Sequence, residues 1–361
     1  MNLPMIGHRG TEFPKLYHES AEGLKLVFGT QQDVLVLSSS GTSALEAAAV
    51  NAVSPGDEVI VVVAGAFGDR FASICERYGA VTHRLDVKWG EACESHVLRA
   101  FLDEHPKVKA VFLTYCETST AVLNPVAELA SIVKEKSDAL VVVDGVSCIG
   151  AVSAQMDQWE VDILVSGSQK ALMLPPGLAF VAVSSRAWEV IEENEAPSFY
   201  LDLRKYKDSQ EKGMTPYTPA VSLFYGLAEV CSIIREEGFD NVVHRHEVMK
   251  EMTREGMRAL DLPLLTDDAN ASPTVTAITG DDQLDIEKLR KLLKEEYHIA
   301  FAGGQKKLKG NLMRIGHMGW CFPADVLMAI CYIEMGLRRM GVKIDAGAGV
   351  RAAEEVYLNN V

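Results

Sequence analysis

The run Val161-Asp162-Ile163-Leu164-Val165-Ser166-Gly167-Ser168-Gln169-Lys170, continued by Ala171-Leu172-Met173-Leu174-Pro175-Pro176-Gly177, sets how the chain is read. Its aliphatic centre has the length of a buried strand. It ends in small polar residues and a single lysine, and two prolines and a glycine then break the backbone. A lysine held at the end of a buried strand is a candidate Schiff-base former, because burial or a neighbouring cation lowers its pKa and frees the amine as a nucleophile. A solvated lysine capping a strand gives the same local pattern. Residues elsewhere in the chain decide between the two.

Upstream, Ala139-Leu140-Val141-Val142-Val143-Asp144-Gly145-Val146 reads as a fully buried parallel strand with a carboxylate at its C-terminal end, the end at which open α/β sheets bind ligands. Asp144 and Lys170 lie 26 residues apart, with a helix-sized segment between them, so both can face one site from neighbouring strand ends. That pair suits pyridoxal 5'-phosphate (PLP), for which a lysine captures the aldehyde and an aspartate keeps the pyridine nitrogen protonated. An aspartate in a turn or N-cap is the plainer alternative for Asp144.

Three further stretches repeat the strand-then-small-residue pattern. Asp33 to Leu37 runs into Ser38-Ser39-Ser40-Gly41-Thr42-Ser43 and a helical alanine-rich segment, a junction that leaves N–H groups and hydroxyls for a phosphate, although Ser/Thr N-caps are common without a ligand. Glu58 to Val63 runs into Ala64-Gly65-Ala66-Phe67-Gly68, where one aromatic can stack on a flat ring or pack in the core. Lys109 to Thr114 ends in Tyr115-Cys116-Glu117-Thr118-Ser119-Thr120, placing hydroxyls at the same sheet edge. Strands near residues 34, 59, 110, 140 and 161, alternating with helix-length segments such as Pro125 to Lys136, predict a mostly parallel α/β sheet domain over 1–238. From Phe239 a charged amphipathic helix leads to strands at Thr274–Ile278, His298–Phe301 and Leu312–Ile315 and helices at Asp285–Glu296 and Ala324–Met340, a smaller α+β domain over 239–361. Arg314 stands alone among apolar strand residues, a costly placement unless its fork meets a carboxylate, whether a substrate's or a structural partner's.

Composition narrows the function. The 361-residue chain is 48% hydrophobic and 24% charged, ordinary for a globular protein. Its net charge of −15 argues against nucleic acid or an anionic membrane as the main partner and for small molecules. Cys75, Cys93, Cys116, Cys148, Cys231, Cys321 and Cys331 are odd in number and lack metal spacing, so neither disulfides nor a zinc site is expected and a cytoplasmic location fits. No signal peptide or apolar run of membrane-spanning length is read, because charge or glycine interrupts every aliphatic stretch.

Taken together, Ser166-Gly167-Ser168-Gln169-Lys170-Ala171-Leu172, Pro175-Pro176-Gly177 and the spacing back to Asp144 resemble the class V (fold-type I) PLP-dependent aminotransferases of the alanine-glyoxylate and serine-pyruvate branch, and the likeness runs along nearly the whole chain. The resemblance implies a seven-stranded-type, mostly parallel sheet and a homodimer with shared active sites. It implies that Lys170 and Asp144 are catalytic, that Ser40, Gly41, Thr42 and Gln169 hold the cofactor phosphate, and that Phe67 stacks where relatives commonly carry tryptophan. Glu117-Thr118 matches a Glu-Ser pair, which makes Thr118 a cofactor-binding residue near the ring hydroxyl or the substrate; Thr218 in Thr215-Pro216-Tyr217-Thr218-Pro219 reaches the partner's phosphate, and Arg314 binds the substrate α-carboxylate. Thr218 as an N-cap of the next helix is the local alternative, and Thr215 stands where relatives often have tyrosine. The implied reaction is transamination between alanine or serine and glyoxylate or pyruvate. The opening Met1 to Gly10 lacks the Gly/Pro-rich segment that usually precedes it in relatives, and His8 and Arg9 are candidates to approach the site. Two alternatives remain: a cysteine desulfurase or C–S lyase, although Gln169 stands where those enzymes carry histidine, and a non-catalytic hydrogenase-associated subunit.

Overall fold

Aliphatic runs buried along their length build the centre of the molecule. In the computed structural model, which describes residues 3–194, 197–282 and 284–360, seven of them form one sheet. They are β1 (Val34–Leu37), β2 (Glu58–Val63), β3 (Val81–Asp86), β4 (Ala110–Thr114), β7 (Leu140–Asp144), β8 (Ile163–Gly167) and β9 (Ala179–Val183), in the order β1-β9-β8-β7-β4-β2-β3. Two short strands, β5 (Cys116–Glu117) and β6 (Val122–Leu123), make a separate hairpin just past β4. The five strands from β8 to β3 run parallel, while β9 turns back antiparallel to both β8 and β1.

Alternation along each strand divides the core into two layers. Val34 and Val36 face one layer with α1 (Phe13–Phe28), α4 (Ser95–Glu104), α5 (Val126–Lys136) and α8 (Val221–Glu237). Leu35 and Leu37 face the other with α2 (Gly41–Ala52), α3 (Ala66–Arg77), α6 (Ser185–Glu193) and α7 (Leu203–Gln210). The first layer is keyed by aromatics: Phe224 meets Phe13 at 5.1 Å and Tyr17 at 5.6 Å between ring centroids. All three are essentially fully buried, which contributes roughly 1.5–3 kcal/mol for each phenylalanine.

A third core, from Val248 to Ala353, lies between α9 (Phe239–Arg258), α10 (Ile286–Tyr297), α11 (Pro323–Arg339), α12 (Ala348–Leu358) and a small antiparallel sheet. That sheet is ordered β10 (Val275–Thr279), β12 (Leu312–Gly316), β11 (Ala302–Gly303).

Two elements differ from the sequence reading. Residues 145–162, between β7 and β8, form turns without a regular helix. They are held by buried Asp162, which accepts from the Val141 N–H at 2.8 Å and pairs with Lys134 and Arg186. The strand expected at His298–Phe301 begins only at Ala302, because His298 ends α10 in a left-handed conformation at φ 59°.

Candidate active site

Register alone brings the key residues together. Parallel pairing sets Thr114 opposite Asp144 and Asp144 opposite Val165, so the C-terminal ends of β4, β7 and β8 are level and Lys170 follows three residues beyond β8. A cleft opens there, lined by Gly41, Thr42, Phe67, Arg70, Cys116, Thr118, Asp144 and Lys170 among others. Of the residues singled out from sequence, the cleft therefore gathers Lys170, Asp144, Gly41, Thr42, Phe67 and Thr118. Ser40 is the N-cap of α2, one residue before Gly41, and its hydroxyl makes no capping bond. Thr218 is exposed and lies outside the cleft of its own chain. Arg9 is absent from the cleft lining of its own chain, and its guanidinium donates to the carbonyls of Thr215 and Pro216. His8 is likewise absent from the cleft lining, and the first two residues of that opening segment fall outside the described residues.

The electrostatics separate the two central groups from ordinary ion-pair partners. Burial pushes the Asp144 carboxyl up to about 7; the Val146 N–H that it accepts at 2.9 Å opposes this, and Arg70 and Lys170 oppose it more weakly. Lys170 is lowered, first by burial and then by the charge of Arg314, and its amine makes no hydrogen bond or ion pair among the described residues. An unpaired buried carboxyl facing an unpaired amine of lowered pKa is a chemical arrangement, not a structural salt bridge.

Glycines keep the walls thin. A Cβ on Gly41 would meet Val146 at 2.7 Å, and one on Gly65 would meet the Glu117 carboxyl at 2.4 Å. Glu117 is buried and accepts from the N–H groups of Phe67, Gly68 and Ser119 and from the Ser119 hydroxyl. It thereby fixes the first turn of α3, and with it the Phe67 ring, against the β5–β6 hairpin. Gln169 Oε1 is buried without a hydrogen-bond partner among the described residues. A Cβ on Gly167 would lie 3.4 Å from both that oxygen and the Gly41 nitrogen, so the amide and the α2 N-terminus flank one point.

Arg314 faces carbonyls rather than the protein carboxylate that its burial suggested. Its Nη1 donates to Thr118 O at 2.8 Å, and Nε and Nη2 donate to Gly303 O at 3.1 and 2.9 Å. Three of five N–H donors are used, which leaves one on each terminal nitrogen, the number that a bidentate carboxylate takes.

The sequence reading passed over Arg70 and Cys116 as cleft residues. Arg70 had a legible signal, since it follows Phe67 by one helical turn and so shares its face. Cys116 had none: its thiol is fully buried against Ser272 and Thr274, which only the fold brings near.

A lysine and an aspartate at adjacent parallel strand ends, above a phosphate-type helix start, define a fold-type I PLP-dependent transferase. The sequence matches the family model "Aminotransferase class-V" over residues 3–321, and the chain belongs to that family. It is 42% identical to "Soluble hydrogenase, small subunit" of Synechococcus sp. (strain PCC 6716), over 97% of this chain and 92% of that one. It is 35% identical to "L-aspartate--glyoxylate aminotransferase" of Paracoccus denitrificans, over 99% and 91%. Among solved structures, an alanine–glyoxylate aminotransferase from Nostoc sp. superposes with a TM-score of 0.89 at 31% identity, covering 93% of this chain and 90% of that one.

Aminotransferases of this class use PLP, and the residues present fit it. Among the described residues, Asp144 offers a buried acceptor without an ion-pair partner, Lys170 an unpaired amine, and the glycines the space for a flat ring beside the α2 N-terminus.

Proposed function

We propose that this aminotransferase moves an amino group between a small amino acid, alanine or serine, and a 2-oxo acid, glyoxylate or pyruvate, in two half-reactions on one site. The observation that carries the reading is the placement of Lys170 and Asp144 in one cleft, with a bidentate-capable Arg314 bonded to the carbonyl of the cleft residue Thr118. The two relatives above that bear enzymatic names differ in amino donor and share glyoxylate.

When bound, the cofactor supplies an electron sink conjugated to the substrate α-carbon. The chain's own residues do the rest. Lys170 Nζ, its pKa lowered by burial and by Arg314, accepts the α-proton and returns it. Asp144 holds a proton on the ring nitrogen. Arg314 takes the α-carboxylate and so orients the bond to be broken. Ser40, Gly41, Thr42 and Gln169 receive the phosphate, Phe67 backs the ring, and Thr118 lines the substrate side.

The protein acts as a cytoplasmic homodimer in which Thr218 serves the partner's site. Exposed Phe199 sits against Tyr217 at 5.8 Å, beside Thr218, and Leu3 and Met5 are exposed on the same N-terminal segment that Arg9 ties to residues 215–216. Residues 1–238 hold the cofactor and 239–361 close the substrate side.

A desulfurase needs a thiolate. Burial raises the Cys321 thiol to about 11 and the Cys116 thiol also upward, the opposite of activation. A non-catalytic role, as the name of the hydrogenase-subunit relative suggests, would leave the unpaired Lys170 and Asp144 without a use. The test is an absorbance scan of PLP-loaded protein with alanine, serine, aspartate and an amine lacking a carboxylate, for wild type and Arg314→Ala. Amino acids should convert the spectrum in wild type, and the variant should lose about 2–5 kcal/mol for them but little for the amine. Equal losses for all substrates would make Arg314 structural, and no conversion by any amino acid would refute transamination.

A further inference from the structure

We infer that Arg70 is the counter-cation of the cofactor phosphate, an assignment that rests on the reading of Lys170 and Asp144 as a PLP site. The groups placed around the phosphate from sequence, Ser40, Gly41, Thr42 and Gln169, are all neutral. A helix N-terminus supplies about half an elementary charge, whereas a phosphomonoester carries −1.5 to −2 at neutral pH. In a chain of net charge −15 the balance has to come from a positioned cation.

Arg70 is placed for that role by three observations. It lies one turn after Phe67 on α3, and its guanidinium sits over the Phe67 ring, 4.9 Å from the centroid. Its Nη1 reaches Thr42 Oγ1 at 3.4 Å, a weak bond whose acceptor is a residue of the phosphate loop itself. It has no carboxylate partner among the described residues, because the adjacent Asp69 is engaged by Arg84 and Lys306. The side chain is therefore a pre-positioned but uncompensated cation at the mouth of the cleft, with four of its five N–H donors free of hydrogen bonds among the described residues. The distal carboxylate of a dicarboxylic amino acid is the competing occupant. It is disfavoured because Arg70 is anchored to Thr42 of the phosphate loop, whereas Arg314, the candidate carboxylate site, is anchored to different elements through Thr118 and Gly303.

The discriminating experiment compares PLP with pyridoxal, which has the same ring and aldehyde without the phosphate. Apo-protein is titrated with each, following protein fluorescence and cofactor absorbance, for wild type, Arg70→Ala and Arg70→Lys. Arg70→Ala should weaken PLP at least tenfold, about 1.4 kcal/mol, while leaving pyridoxal within twofold, and Arg70→Lys should recover part of the loss. Raising the salt concentration should shrink the difference between wild type and Arg70→Ala. Because the side chain is exposed, the apo Tm of the variant should match wild type, so a binding loss is not a folding loss. Equal losses for PLP and pyridoxal, or none, would overturn the assignment. So would intact PLP affinity with a selective loss of aspartate and glutamate turnover, which would make Arg70 a substrate contact. Wild-type protein that binds neither compound would refute the cofactor reading, and this assignment with it.

Discussion

A carboxyl group buried without a cation stays protonated to about neutral pH, and Asp144, pushed by burial to about 7, is in that state. The folded protein then holds a proton that the unfolded chain releases near the usual carboxylate pKa. The stability this contributes is present at low pH and is lost as pH rises towards 7. Asp144→Asn should consequently stabilise the apo-protein relative to wild type by an amount that grows between pH 5 and pH 7, on the order of 2 kcal/mol. Denaturant unfolding of both proteins at pH 5, 6, 7 and 8 measures it, and a difference independent of pH would show that Asp144 is ionised throughout. The same substitution should weaken PLP, since an amide cannot hold the ring proton. Both Asp144 and Lys170 were legible in the sequence, because an aliphatic run fixes a buried strand and its last polar residue marks the binding edge. Arg70 carried a signal in its one-turn spacing from Phe67, but the carbonyl partners of Arg314 did not, because they depend on Gly303 arriving from 11 residues upstream.

Among the elements, the turn after β12 couples the third core to Lys170. Gly319 adopts φ 76°, and a Cβ there would stand 2.9 Å from Lys170 O. Its N–H donates to His246 Nε2 at 3.0 Å, and the other ring nitrogen of His246 donates to Val242 O at 2.7 Å. The imidazole is thus a neutral acceptor, with its pKa pushed down by burial to about 4. Gly319→Ala should cost on the order of 1–3 kcal/mol through backbone strain, and in addition displace the Lys170 backbone and weaken PLP. Gly341→Ala is the control, with φ 83° and no atom within 4 Å of the new Cβ. It should show the stability loss alone, and identical behaviour of the two variants in a PLP titration would remove the coupling. The helix α9 was legible in the sequence, but its contact with Gly319 was not. Nor was the helix-free crossover at 145–162, since only the structure shows Asp162 tying Val141, Lys134 and Arg186 together in place of helical packing.

For the whole molecule, the mostly parallel sheet followed from alternating runs of strand and helix length, whereas the order of its strands and the antiparallel return of β9 carried no pattern of their own. Among the described residues, no helix is long and apolar enough to cross a membrane. If active sites are shared across a dimer, mixing inactive Lys170→Ala with Thr218→Ala should restore wild-type PLP affinity at one site of each hybrid: the site with an intact lysine receives an intact Thr218. Mixing that leaves every site with the Thr218→Ala affinity would place Thr218 outside the active site.

The central claim is that Lys170 is the amine that meets the cofactor aldehyde. Apo-protein is incubated with PLP, reduced with borohydride, digested and mapped by mass spectrometry, for wild type and Lys170→Ala. The added cofactor mass should appear on the peptide carrying Lys170 and vanish in the variant. Label on a different lysine in wild type, or label that persists in Lys170→Ala, would contradict it.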